Sequence, residues 1–282
     1  MTLQEGLKQG EERLSTGPHP ERARRDAESL LLHLLGKNRA WLMAHLKDDF
    51  GGCTAIRYAS LLDRRQKGEP IQYITGEAEF YGLPFRVTRD VLIPRPETEH
   101  LVEKVLDLAA QFTSPRIVDI GTGSGAIAVA LASKSPHAQV TAIDLSGSAI
   151  ELARENAERN GVALRIRFLQ GDLLAPVVGQ EFDIVVSNPP YVPVTDRPSH
   201  SVEVRDHEPS LALFAGPDGL DVYRRLIPAA FAVLSPGGFL ALEIGYGQSP
   251  DLRALLTASG FRQIEFTPDL QGILRVAVGR RE

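Results

Sequence analysis

From about residue 116 onward, short apolar runs alternate with longer stretches of helical periodicity. No other feature constrains the fold as much. The runs at about 116–120, 138–143, 165–169, 182–187 and 239–244 read as strands with helices between them. That order marks an α/β domain built on a mostly parallel sheet with helices on both sides. Pro236-Gly237-Gly238 reads as a turn entering the fifth strand. The last stretch breaks the alternation, because Phe261 to Phe266 and Ile273 to Val278 are separated only by Pro268-Asp269-Leu270-Gln271-Gly272. So short a link predicts a C-terminal antiparallel strand pair on the sheet edge.

Upstream, residues 1–70 carry helical spacing only, which predicts a small all-helical N-terminal domain. Thr2 and Glu5 have capping-box spacing, although Gly6 and Gly10 weaken the helix that follows. Pro20 suits a first helical turn, and the stripe Ala27, Leu30, Leu31, Leu34, Leu35 closes at Gly36. Trp41, Leu42 and His45 repeat the spacing. Thr54 is placed to cap a further helix carrying Ala55, Tyr58, Leu61, Leu62 and Arg65. Trp41, His33 and His45 are read as packing or surface residues. Residues 71–96 read as a hairpin connector, with Phe80, Phe85 and Val87 alternating. The stiff run Leu92 to Glu99 then opens a helix, and residues 97–282 form the second domain.

Charge narrows the function classes. The chain has 282 residues, a net charge of -5 and a pI near 5.9. Residues 1–70 hold 12 Lys+Arg against 10 Asp+Glu, and the remainder 19 against 26. Neither part is a basic domain, which disfavours direct nucleic-acid binding through phosphate neutralisation. A single Cys53, read as structural, excludes an internal disulfide and a multi-cysteine zinc site, so no metal is expected. The first residues lack the apolar core of a signal peptide and no apolar run reaches membrane-spanning length, so a cytoplasmic location is expected.

The first strand of the second domain ends in Ile117-Val118-Asp119-Ile120, and Gly121-Thr122-Gly123-Ser124-Gly125 follows before an Ala-rich helix. Glycines there let the backbone turn sharply and approach a ligand. Asp144 ends the second strand 21 residues after Gly123, where a carboxylate accepts from both ribose hydroxyls of a nucleoside. The order G-x-G-x-G disfavours a dinucleotide pyrophosphate. Asp172, followed by Leu173, ends the third strand and suits an adenine amino group. The fourth strand delivers Asn188-Pro189-Pro190-Tyr191. The prolines fix φ and donate no hydrogen bond, so free carbonyls, an amide and a ring stand close together. Such a set can hold a flat NH2 group, with oxygens accepting its hydrogens and the ring packed on its face. A strand end with a proline turn would explain these four residues alone. It does not explain them together with the glycine run and both strand-end acids.

Together these features resemble a class I, Rossmann-like S-adenosylmethionine-dependent methyltransferase acting on a planar nitrogen. The resemblance extends through Pro70 to Gly76, Ile93-Pro94-Arg95-Pro96-Glu97-Thr98-Glu99, Glu208-Pro209 and Gly219-Leu220-Asp221 to the peptide chain release factor glutamine methyltransferases, the HemK/PrmC family. It covers nearly the whole chain. It implies S-adenosylmethionine as methyl donor, the glutamine of the release factor Gly-Gly-Gln motif as substrate, and the helical domain as the part that grips the protein partner. It also implies a cofactor set of Gly121, Thr122, Gly123, Ser124, Gly125, Asp144, Asp172, Leu173 and Asn188. The catalytic and substrate set is Asn188, Pro189, Pro190 and Tyr191, joined on the substrate side by Arg95, Glu97 and Glu208. Arg95 and Glu97 read equally as a charged helix start, and Glu208 equally as a structural residue. Residues 192–217 show no clear pattern and suit a lid. The Asn-Pro-Pro-Tyr run is shared with ribosomal-protein glutamine methyltransferases and with nucleic-acid adenine-N6 methyltransferases, which stand as rivals. A binding module that kept the fold and lost catalysis is a further rival. The oligomeric state is not legible.

Overall fold

The computed structural model describes all 282 residues. In chain order the first elements are α1 (Leu3–Leu14), α2 (Ala23–Leu35), α3 (Arg39–Ala44), α4 (Gly52–Gln66) and α5 (Ile71–Thr75). A hairpin of β1 (Glu77–Phe80) and β2 (Leu83–Arg86) follows, then α6 (Glu99–Ala109). The alternating part runs β3 (Arg116–Ile120), α7 (Ala126–Lys134), β4 (Gln139–Asp144), α8 (Gly147–Arg159), β5 (Ile166–Gln170) and β6 (Phe182–Ser187). The chain ends with α9 (Val202–His207), α10 (Asp221–Val233), β7 (Leu234–Glu243), α11 (Ser249–Ala258), β8 (Arg262–Pro268) and β9 (Leu274–Arg280). Two compact units result, Met1–Glu77 with His200–His207, and Ala78–Ser199 with Glu208–Glu282.

In the first unit the capping box at α1 forms as its spacing predicts. The Glu5 N–H donates to Thr2 Oγ1 at 3.2 Å and the Thr2 N–H to Glu5 Oε2 at 2.8 Å. Gly6 and Gly10 are explained by packing, since a Cβ at Gly6 would lie 2.5 Å from the Phe50 ring and one at Gly10 would lie 2.4 Å from the Tyr58 hydroxyl. α2 ends at Gly36 in the left-handed conformation, φ 62°. Thr54 does not cap α4. That helix begins at Gly52 after Gly51, and two glycines carry no side chain to announce a start. Cys53 is exposed in the same first turn instead of packing. Arg65 shares the stripe of apolar positions because it is buried with Asp26, Nε to Oδ2 at 2.6 Å, and its Nη1 reaches the Glu69 carbonyl and Glu203. A buried charge is tolerable only when paired in this way.

The second unit is a seven-stranded sheet of order β5-β4-β3-β6-β7-β9-β8. Strands β3 to β7 are mutually parallel, whereas β9 runs antiparallel to both β7 and β8. This is the α/β class and the terminal strand pair that the alternation predicts. Successive residues of a strand face opposite sides. Ile117, Val140, Ile184 and Phe239 therefore pack against α6 and α7, while Val118, Ile143, Val185 and Leu240 pack against α10 and α11. Burial on both faces is why these strands read as unbroken apolar runs. The Pro236-Gly237-Gly238 turn lies inside β7 as an irregularity. Leu234 pairs with Phe182, and the ladder resumes at Phe239 with Ile184. Residues 192–217 hold 3-10 turns at Val194–Ser199 and Ser210–Ala212 around α9, pieces too short to show a period in sequence.

Chain direction through the sheet places the site. From β3 the chain moves outward to β4 and β5, then returns to the other side of β3 as β6. The carboxyl ends of β3 and β6 therefore flank a topological switch point, where open α/β sheets take their ligands. The Ser187 hydroxyl donates to the Ile120 carbonyl at 2.7 Å and ties those two ends together.

Candidate active site

The glycine run forms the first wall. Gly121, Gly123 and Gly125 all have positive φ, at 70°, 55° and 82°. Gly121 and Thr122 donate their N–H groups to the Ile143 carbonyl, and Gly123 donates to Asp144 Oδ2 at 2.8 Å. A Cβ at Gly121 would meet nothing within 4 Å, whereas one at Gly125 would lie 3.0 Å from Ala153. The first glycine thus faces open space and the third lets α7 close on α8. Asp144 also accepts from the Ser146 N–H through Oδ1. Ser124 is buried, and its carbonyl accepts from Asn156 Nδ2 at 2.8 Å.

Asp119 is a residue that sequence reasoning passed over. It is fully buried beneath this loop, where Oδ2 accepts from the Thr122 hydroxyl at 2.6 Å and Oδ1 has no partner. Burial pushes its pKa up to about 7, against the Thr122 hydrogen bond that favours the ionised form. The signal was an acid inside an otherwise apolar strand. Below pH 7 the folded chain holds this proton, whereas the unfolded chain releases it from about pH 4. The ligand-free protein should therefore lose stability as pH rises from about 4 to 7. Urea midpoints across that range check this, and Asp119→Asn should flatten the trend.

Asp172 pairs with Arg225, Oδ2 to Nη2 at 2.5 Å, and is half exposed. Its neighbour Leu173 holds φ at 49°, a strained conformation for a branched side chain. Arg95 and Glu208 are brought together, Arg95 Nη2 lying 2.7 and 2.6 Å from the two carboxylate oxygens, with the Glu208 carboxylate buried. Glu97 is exposed, and its charge reaches the buried Glu243.

Asn188, Pro189, Pro190 and Tyr191 follow β6 on the far side of the switch point, all in trans peptides. Asn188 Nδ2 donates to Thr98 Oγ1 at 3.0 Å, and Thr98 Oγ1 donates to Glu243 Oε2 at 2.6 Å. The Tyr191 hydroxyl donates to Glu243 Oε1 at 3.1 Å, and its carbonyl accepts from Gln248. Asn188 Oδ1 and the Pro189 carbonyl keep their acceptor capacity, with no donor of the chain upon them. Burial raises the pKa of Tyr191 far above the ordinary phenol range and also raises that of Glu243. Thr98 and Glu243 join Asp119 as residues around the site that sequence reasoning missed.

Residues 97–201 match the Methyltransferase small domain and residues 5–76 the PrmC N-terminal domain. Among solved structures, the hMettl16 catalytic domain in complex with MAT2A 3'UTR hairpin 1 aligns with a TM-score of 0.59 at 18% identity, over 89% of this chain and 90% of that one. The T. thermophilus 16S rRNA methyltransferase RsmC, solved with AdoMet and guanosine, aligns at 0.55 and 19% identity, over 73% and 50%. Both show the Rossmann-like methyltransferase fold. S-adenosylmethionine, the methyl donor that this fold and family imply, suits the residues present. It carries a cationic amino acid end and a nucleoside, and the chain offers the unpartnered Asp119 Oδ1, the open face of Gly121 and the lone pairs left on Asp144. No helix is long and apolar enough to cross a membrane.

Full-length relatives are closer. The release factor glutamine methyltransferase of Moorella thermoacetica is 46% identical over 96% of both chains. Those of Deinococcus radiodurans and Koribacter versatilis are 43% and 40% identical over 100% of this chain and 99% of each relative. At 40–46% identity over nearly the whole length of both chains, the chain belongs to the release factor glutamine methyltransferases.

Proposed function

We propose that this chain methylates the side-chain nitrogen of the glutamine in the release factor Gly-Gly-Gln motif and so supports translation termination in the cytoplasm. One observation carries the reading. Asn188 Oδ1 and the Pro189 carbonyl are two adjacent acceptors without donors, set on a stiff segment at the switch point. A primary amide has two N–H groups to give them.

Bound S-adenosylmethionine supplies a methyl group on a sulfonium that needs no further activation. An amide nitrogen is a poor nucleophile, because its lone pair is delocalised into the carbonyl. The protein's task is therefore position and charge. Asn188 and Pro189 fix both N–H bonds and aim the nitrogen, while the Tyr191 ring packs on the amide plane beside Pro190. Alignment of this kind supplies about 7–11 kcal/mol in favourable cases. As the nitrogen–carbon bond forms and the sulfonium's bond to that carbon breaks with its electron pair staying on sulfur, the same oxygens stabilise the positive charge developing on nitrogen. One N–H proton is then lost to water. Gly121, Thr122, Gly123, Ser124 and Gly125 hold the amino acid end of the cofactor, with Asp119 Oδ1 taking its ammonium. Asp144 takes the ribose, and Asp172 with Leu173 takes the adenine. Asp172 can exchange Arg225 for a ligand cheaply, since an exposed pair contributes only about 0–1 kcal/mol. Arg95, Glu97 and Glu208 act on the substrate side, where the Arg95–Glu208 pair orders the rim. Residues 1–70 grip the protein partner, and no nucleic acid is needed.

The test is incubation with labelled S-adenosylmethionine and, separately, purified release factor, ribosomal protein and DNA, followed by mass spectrometry. Label on the Gly-Gly-Gln glutamine is expected. Label on a ribosomal protein or on DNA adenine alone would overturn the assignment.

A further inference from the structure

Thr98 stands immediately before α6, where a threonine hydroxyl ordinarily accepts a hydrogen bond from a backbone N–H in the first turn. Here it makes no such bond. Its hydroxyl is committed to Glu243 on one side and to the Asn188 amide on the other. Glu243 is just as anomalous. It closes β7 at 2% exposure beside the fully buried Leu242 and Ile244. A buried carboxylate does not by itself serve stability, since a well-packed apolar side chain of similar size would serve as well or better. What Glu243 has instead is two hydroxyl donors, from Thr98 and Tyr191, with Arg275 contributing a favourable charge.

The donors in this chain run one way. Both oxygens of Glu243 accept, Oε2 from the Thr98 hydroxyl and Oε1 from the Tyr191 hydroxyl, as those of an ionised carboxylate do. The single Thr98 proton therefore goes to Glu243, its lone pairs face Asn188, and Asn188 must present its NH2 to them. That turns Asn188 Oδ1 toward the open side. We infer that Glu243, acting through Thr98, fixes the Asn188 amide with its oxygen toward the substrate, and through Tyr191 fixes the ring beside it. Thr98 and Glu243 are positioning residues for methyl transfer. The inference rests on the reading that Asn188 accepts a substrate N–H. An amide released from Thr98 can turn over, so that its NH2 meets the substrate NH2, donor against donor.

Thr98→Val keeps the side-chain shape and removes the relay, whereas Thr98→Ser keeps the hydroxyl. With the full chain and purified release factor at saturating S-adenosylmethionine, Thr98→Val should lower kcat about ten- to a hundredfold, the scale on which groups that orient a directly bound ligand act. Cofactor affinity by calorimetry should not change, and Thr98→Ser should restore most of kcat. Glu243→Gln carries the same expectation where valine at 98 unsettles the fold. Wild-type transfer with kcat unchanged in a folded Thr98→Val, or a serine that fails to rescue, overturns this inference alone. No transfer by the wild type overturns the functional reading and this inference with it.

Discussion

Asn188→Ala should lower methyl transfer to the release factor by about two to three orders of magnitude, the effect of removing one preorganised hydrogen-bonding group aimed at developing charge. Alanine deletes the Oδ1 acceptor and leaves Pro189 to hold one substrate N–H, so the nitrogen is free to swing off line. It also deletes the Nδ2 donor to Thr98. The Gly123–Asp144 tie lies on the other side of the switch point and stays intact, so S-adenosylmethionine should bind with wild-type affinity. The loss belongs in kcat, because the missing bond strengthens as charge builds on the nitrogen. Single-turnover transfer and calorimetry separate the two quantities. Should cofactor affinity collapse while transfer at saturation survives, Asn188 is a cofactor ligand and the amide clamp is wrong.

The parts legible in sequence were those with a local signature. Strands buried on both faces cannot hide, because each is an apolar run such as Ile184-Val185-Val186 with no polar alternation to dilute it. The glycine run is legible because only glycine suits three positive φ values in five residues. Asp144 followed from a fixed offset. Asn188 and Tyr191 stand out in the Asn-Pro-Pro-Tyr run, but their link to Thr98 and Glu243 has no such signature, since the four come from a 3-10 turn, a strand end and a loop 145 residues apart at the extreme. Register brings two of them together, and packing of the turn and the loop brings the other two. Ser187 pairs with Leu242, so Asn188 and Glu243 are the next residues on neighbouring parallel strands. Arg95 and Glu208 were singled out separately, but their pairing across 113 residues is a tertiary fact. Asp172 lies two residues beyond its strand, which ends at Gln170, and Arg225 on α10 engages its carboxylate. What sequence lacked throughout was the choice among partners, which long-range packing makes.

Asp144→Ala should weaken S-adenosylmethionine binding by about a hundred- to ten-thousandfold while leaving kcat at saturating cofactor close to wild type. Each Asp144 oxygen already accepts one backbone N–H, from Gly123 at 2.8 Å and Ser146 at 2.9 Å. A carboxylate oxygen has a second lone pair, so the same side chain can order the loop and still take two ribose hydroxyls. Hydrogen bonds to a charged group are worth about 1.5–3 kcal/mol each. Two of them give about 3–6 kcal/mol, and at about 1.4 kcal/mol per tenfold that is the range stated. The loop should loosen as well, because Gly123 loses the acceptor that holds its left-handed turn, and faster hydrogen exchange at the Gly123 amide would report it. Asp172→Ala is the control. Its carboxylate is half exposed and shared with Arg225, so the change should be tenfold or less, in keeping with the small worth of exposed charges. Equal losses in the two variants, or wild-type affinity in Asp144→Ala, would remove Asp144 as the ribose anchor and shift the burden of cofactor recognition to the glycine loop and Asp119.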